Sequence, residues 1–441
     1  MNKLQVGFCR LNINPPMGTP INGYKAARLV EGVLDDLFVN ALAFRVESSC
    51  VLLLAVDNFA IDSVTCQALR QHVADAAGMS LEAVFLHTTH IHTAPQLGQI
   101  NNWAPLSFKE QSALLKEYEQ FMYRRLADAA KLALSDCQDA RMGWAVGQAP
   151  NISFIRQFRM KDGTVSSDPG VDDADVICPV DQADTAVNVL RFDRANDTLV
   201  LANFGCLPDT LGGNLISADF PGFFRQRLEK SLDRVKCVFI NGAHADVNAV
   251  GLDNIPQGYD HARHMGNVLA GAVLQVFDKV NYEDVELLGF LRKTITVPSH
   301  RSTPEQLPLA SKYYYAYETG KLEDIPYTGK KLQDVVEESG RILRLQYGPN
   351  EYQLELSGIM LGKVALLGLP GDAFSGIGST LKQAKGADLV LPMSLMDGFK
   401  GRFPTQKAYD ESYIEARSSC YRSGLEEQLV SAYCELINTL Q

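Results

Sequence analysis

Five short apolar runs constrain this chain more than any other feature: VLLLAV (51–56), VFL (84–86), LVLANF (199–204), VKCVFI (235–240) and VALLGLP (364–370). Each is rich in β-branched and aromatic residues, the composition of a buried strand. Around them, strands are predicted over 40–46, 50–56, 82–87, 198–204, 235–240 and 285–297. Amphipathic periodicity predicts helices over 63–77, 108–135 and 260–277 between several of these strands. Strands alternating with helices define an α/β class. Residues 352–372 read as two further strands around Leu361-Gly362, ending in a Pro-Gly turn that presents Asp372.

Ionisable residues recur just past the ends of these runs. Asp57 follows the first, His87, His90 and His92 the second, Asp219 lies beyond the third, His244 and Asp246 follow the fourth, and Asp372 the last. Strand ends of open α/β sheets commonly converge on one site, which gives such residues a shared destination. The stretch HTTHIHTAP holds three of the eight histidines. If its strand runs on, His90 and His92 share a face with Cα atoms roughly 7 Å apart, within reach of one cation. Zinc needs further imidazole, thiolate or carboxylate ligands, so two histidines do not complete a site. The competing reading makes them hydrogen-bonded polar residues at a strand end.

Bulk properties exclude several classes. A formal charge of −11 over 441 residues, with no basic tract of five, argues against nucleic acid or an anionic membrane as partner. The N-terminus lacks the apolar core of a secretory signal, and no stretch nears the ~18 apolar residues of a transmembrane helix. The chain therefore reads as cytoplasmic, without an integral membrane segment. Nine scattered cysteines with no C-x-x-C pair signal neither a disulfide framework nor a zinc knuckle, and most are expected to be buried small hydrophobes. The polar segment 147–184 is too long for a simple connection. It carries Arg156, Arg159 and a hairpin signal at Asp162-Gly163. KYYYAYETG (312–320) either lines a groove for an apolar or sugar ligand or packs a helix face on the core.

Six blocks, INPPMGTPINGY, THIHTAP, FGCLPDTLGGNLISADFPG, FINGAHADVN, GLPGDAF and GFKGRFPTQKAYDESYIEARS, together resemble the N-terminal catalytic region of the neutral ceramidase family. The resemblance runs through nearly the whole chain. It implies one neutral-ceramidase-like domain over residues 1–441, with mixed β-sheets packed against helices and no C-terminal immunoglobulin-like domain. It also implies a single zinc whose bound water attacks the amide carbonyl of an N-acylated lipid.

Carried over position by position, the family's first histidine ligand is His90, with His92 close by. Its second histidine, in an F-G-x-H-P context, is Leu207 here. The glutamate of its P-G-E turn is Asp372, and the tyrosine of its G-Y-x-P block is Arg402. Only one of these four positions is intact. Leucine offers no lone pair, aspartate is one methylene short, and a guanidinium repels a divalent cation.

Two outcomes fit these losses. Either Arg402 takes the cation's place beside Asp372, leaving a binding-only relative without zinc, or the metal has moved. NGAHADVN resembles the family's N-x-x-x-G-D-V-S block, with Ala245 for glycine and Asn248 for serine, and adds His244 beside Asp246. His90, His92 and His244 with Asp57 or Asp246 would then suffice. His261 and His264 are expected to face solvent, and Arg28 and Asp36 to be ion-pair partners near the cleft. The resulting expectation is an amidohydrolase of a small N-acylated substrate, a lipid or an N-acylated sugar. His90, Asp372 and His244 are its candidate zinc ligands, with His92, Asp246 and Asn248 as catalytic groups. The sequence indicates no oligomeric state.

Overall fold

The computed structural model describes residues 3–21, 23–24, 28–95, 97–98, 112–252 and 257–441. Its centre is a nine-stranded mixed sheet. Eight strands run in the order Val235–Asn241, Thr198–Phe204, Ala186–Arg194, Gln138–Gln148, Gln5–Asn12, Phe38–Val46, Ser49–Val56, Val84–Thr88, and Asn281–Glu283 pairs with Gln138–Gln148. A second sheet of four strands runs Leu288–Pro298, Glu351–Leu361, Val364–Gly368, Leu389–Met393.

The apolar runs are uninterrupted because both faces of their strands are covered. In Ser49–Val56, Val51 and Leu53 join a core with Ile359, Leu366 and Leu391 of the second sheet. Leu52, Leu54 and Val56 point the other way, onto Leu69, Val73, Tyr118 and Leu126 of helices Ser63–Ala77 and Ser112–Ser135. Helices Asp219–Ser231 and Tyr259–Val276 cover the far half of the same outer face. Helix Leu425–Leu440 covers the second sheet, and its buried Tyr433 donates a 2.6 Å hydrogen bond to the Gly368 carbonyl. The layers are helix, sheet, sheet, helix.

One unit occurs three times: a strand, a crossover helix, and a parallel neighbour. It joins Ser49–Val56 to Val84–Thr88, Thr198–Phe204 to Val235–Asn241, and Val364–Gly368 to Leu389–Met393. The first crossover helix is closed at both ends. Asp62 accepts from the amides of Val64 and Thr65, and Gly78 ends the helix at φ 65°. The large sheet curls so that its two edge strands meet at one end, where the Asn241 amide donates to His87 Nε2 at 3.0 Å.

Several expectations need correction. The strand holding VFL stops at Thr88, and His90 adopts φ 69°, so His90 and His92 do not share a strand face. The hairpin expected at Asp162-Gly163 is present: residues 157–160, 165–167 and 176–179 form a small three-stranded sheet turned at Gly163 (φ 84°). The tyrosine-rich stretch lies on helix Leu307–Glu318, with Tyr313 buried and Tyr315 and Tyr317 exposed, and it lines no part of the pocket described below. Only Cys66, Cys206 and Cys237 are buried; five cysteines are half-buried and Cys178 is exposed. The predicted helix start at Phe108 lies outside the described residues. Among the described residues, no helix is long and apolar enough to cross a membrane.

Candidate metal centre and its pocket

His87 and Asn241 stitch the strand tips together. Buried His87 holds the Ser394 carbonyl through Nδ1 at 2.8 Å while its Nε2 accepts from Asn241. The Asn241 side chain donates to the carbonyls of Thr89 and Cys206 at 3.0 and 3.1 Å. Burial, with His244 nearby, pushes the His87 pKa down to about 3, so the ring stays neutral and keeps its acceptor. Gly205 allows the closest approach of two tips, because a Cβ there would stand 2.4 Å from the Ala243 carbonyl oxygen.

These tips bring three candidate ligands together. The left-handed backbone at His90 is costly for a non-glycine residue and turns its ring inward. His90 Nδ1 lies 2.7 Å from His244 Nε2, and Asp372 Oδ1 lies 3.4 Å from the same nitrogen. His244 Nδ1 sits 2.8 Å from the Gly242 carbonyl, which fixes its proton there and leaves a lone pair on Nε2. The three ligand atoms all lie within 4.8 Å of one another, and all three residues are buried. Among the described residues Asp372 Oδ1 has no hydrogen-bond partner. An unsatisfied buried polar atom costs about 1–3 kcal/mol, and more when charged. Two imidazoles and a carboxylate are a known donor set for catalytic zinc, which keeps a fourth position open. These residues fit such an ion.

Arg402 pairs in register with Asp372 through two short parallel strands, Asp372–Ala373 and Arg402–Phe403. Its Nε is 3.6 Å from Asp372 Oδ2, and its side chain is 39% exposed. It is neither inserted between the ligands nor free in solvent; it forms part of a pocket wall. Leu207, where the resemblance implies a histidine, lines the same pocket.

The two carboxylates offered as alternative ligands stand apart from this cluster. Asp57 is fully buried in a two-pronged pair with Arg225, at 2.8 and 2.6 Å. Asp246 accepts from the amide and hydroxyl of Ser375 at 2.6 and 3.0 Å, off the pocket wall. Burial, with Asp372 nearby, pushes its pKa up to about 7. Asp219 accepts from the amides of Thr210 and Leu211, both at 3.0 Å, and so fixes the loop after Leu207. Asn248 reaches the pocket, but its amide donates to Asp168 at 2.6 Å, and Asp168 also pairs with Arg156. Arg159 pairs with Glu411.

One further expectation is corrected. His261 is buried, its Nε2 2.9 Å from the Ala249 carbonyl, whereas His264 is exposed as expected. Arg28 and Asp36 do not pair. Arg28 donates to the carbonyls of Gly213 and His92, and Asp36 accepts from Asn14.

The pocket encloses about 740 Å³. Phe59, Ile155, Phe158, Val250, Leu252 and Phe399 supply apolar wall. His92 stands beside His90, ring centroids 5.5 Å apart. Gly23 at φ 106° packs on the His92 ring, where a Cβ would come within 2.8 Å. Burial first, and the charge of Arg28 next, push the His92 pKa down to about 3. Among the wall residues not singled out from the sequence, one is an ionisable carboxylate that touches His92. Asp209 lies 3.4 Å from His92 Nδ1, accepts from the Tyr24 hydroxyl, and is pushed up to about 7 by burial and by Asp219.

Comparison with solved structures finds the same architecture in neutral ceramidase. The structure of the Pseudomonas aeruginosa enzyme superposes with TM-score 0.72 at 15% identity, covering 100% of this chain and 75% of that one. A structure described as ceramidase complexed with C2 gives 0.71 at 14%, with the same coverage. No family model and no curated protein matches the sequence. The chain is thus an α/β protein with the neutral ceramidase fold.

Proposed function

We propose that this chain is a metal-dependent hydrolase of an N-acyl amide, with the cation held by His90, His244 and Asp372. The observation that carries this reading is the buried, unsatisfied Asp372 oxygen facing two imidazole nitrogens, on a fold shared with neutral ceramidase. His244 supplies the imidazole that Leu207 cannot. A divalent cation in that position supplies Lewis acidity toward a carbonyl and a lowered pKa for water.

The chain's own groups do the rest. The Gly242 carbonyl orients His244, and the backbone at residue 90 orients His90. The apolar wall takes the acyl chain and excludes water from it. Asp209, with a pKa near 7, accepts and returns the proton that amide hydrolysis requires, and His92 beside it lines the path.

The test is release of fatty acid from N-acylsphingosine, an N-acylated sugar and N-acyl amino acids. Each is assayed with protein as purified, after chelation, and after zinc is restored. Activity that vanishes with chelation, returns with zinc and is absent in His244→Ala is the expected result. Protein that binds no zinc and cleaves none of the panel would overturn the proposal in favour of a binding-only relative.

A further inference from the structure

We infer that Arg402 makes this pocket selective for amides that carry an anionic group, a carboxylate foremost, close to the scissile bond. The inference rests on the cation site proposed above and adds the substrate's charge to it.

Arg225 and Arg156 near the site each hydrogen-bond a carboxylate through the guanidinium, although the buried Arg156 Nε has no hydrogen-bond partner among the described residues. Arg225 grips Asp57 with two hydrogen bonds, and Arg156 is hydrogen-bonded to Asp168 with Glu415 4.0 Å away. Arg402 differs. Among the described residues its guanidinium makes no hydrogen bond, and its one ion-pair partner is Asp372 at 3.6 Å. Charge-assisted hydrogen bonds are shorter, about 2.7–2.9 Å. The guanidinium is therefore near a negative charge but not engaged by it, on the wall of a cavity large enough for a ligand.

Charge balance points the same way. Among the described lining residues, Asp168, Asp209 and Asp372 face Arg156 and Arg402. A divalent cation on Asp372 turns that single acidic excess into a single basic excess. It also takes the carboxylate that Arg402 leans on. Burial keeps part of Asp209 protonated near neutral pH, which shifts the balance further. The pocket then presents a planar five-donor fork beside an apolar wall, and a carboxylate is the group that matches that fork in two bonds. An N-acyl amino acid has both parts, an acyl chain for the wall and a carboxylate a few bonds from the amide.

The test uses two probes that carboxamide hydrolysis cannot consume, N-(hexylsulfonyl)glycine and its neutral alcohol counterpart N-(2-hydroxyethyl)hexane-1-sulfonamide, which differ in one charge. Their Kd values are measured by calorimetry on the full chain, zinc-loaded and metal-free, with zinc affinity measured separately. The zinc-loaded protein is expected to bind the acid about tenfold or more tighter than the alcohol, the effect of one charge-assisted contact. Arg402→Gln is expected to reduce that preference to about threefold or less without weakening zinc binding. Arg402→Lys, which keeps the charge and loses the fork, is expected to fall between and covers a failure of the glutamine variant to fold. Equal binding of the two probes, or a preference unchanged in Arg402→Gln, would overturn the inference. If zinc does not bind, the metal reading fails. The acid preference is then read on the metal-free protein, where about threefold, lost in Arg402→Gln, still upholds Arg402.

Discussion

Asp372 divides its two oxygens between unlike neighbours, Arg402 on one side and the His244 imidazole on the other. Neither contact is a hydrogen bond, so the residue is costly to the metal-free fold and useful to a cation. Asp372→Asn keeps the shape and removes the charge. Its expected effect is a loss of zinc affinity on the order of a hundredfold or more, with unchanged or higher melting temperature of the metal-free protein. Asp57 is the control. Arg225→Met strands its buried carboxylate, with an expected loss of about 3–5 kcal/mol in denaturant unfolding and no change in zinc affinity per folded molecule. At this scale the sequence was informative where chemistry is rare: histidines after a strand, and a carboxylate after a Pro-Gly turn. It was silent on Asp209, because Leu-Pro-Asp-Thr reads as an ordinary turn until burial and His92 are known. It kept Asp57 and Asp246 open as alternative ligands beside Asp372, since the partners that consume them, Arg225 and Ser375, lie 168 and 129 residues away in the chain.

The crossover units decide where those residues go. Each unit leaves two strands pointing the same way, and the His87–Asn241 contact draws the tips of two of them together. His87 is neutral in the fold, with a pKa about 3 against 6.5 when free. The unfolded chain therefore takes up its proton first. The contribution is complete above about pH 6.5 and is lost as pH falls toward 3, on the order of 4 kcal/mol in all. His87→Gln is expected to flatten that part of the acid limb of a stability–pH curve; an unchanged limb would place the titration elsewhere. The same units explain which elements the sequence revealed. Ser49–Val56 and Thr198–Phe204 are buried on both faces and read plainly. Gln138–Gln148 alternates burial, carries Gly143 and Gly147, and has no apolar run to announce it, although it is the strand that joins the two halves of the sheet.

Across the whole molecule, two sheets packed face to face between helical layers bring residues 90, 244 and 372 into one buried cluster, of which His90 and Asp372 line the pocket. Class and layer content were legible because apolar runs and amphipathic helices alternate along the chain. The curl of the large sheet was not, since it depends on contacts between strands more than 150 residues apart, such as His87 to Asn241. That curl is what sets His244, after the fourth run, beside His90 and Asp372, the arrangement on which the proposed metal site rests. X-ray absorption at the zinc edge, on protein loaded with one equivalent of zinc, tests this most directly. The expected spectrum shows nitrogen and oxygen neighbours at about 2.0–2.2 Å with multiple scattering from two imidazoles, reduced to one imidazole in His244→Ala. Sulfur neighbours near 2.3 Å, or a spectrum that His244→Ala leaves unchanged, would contradict it.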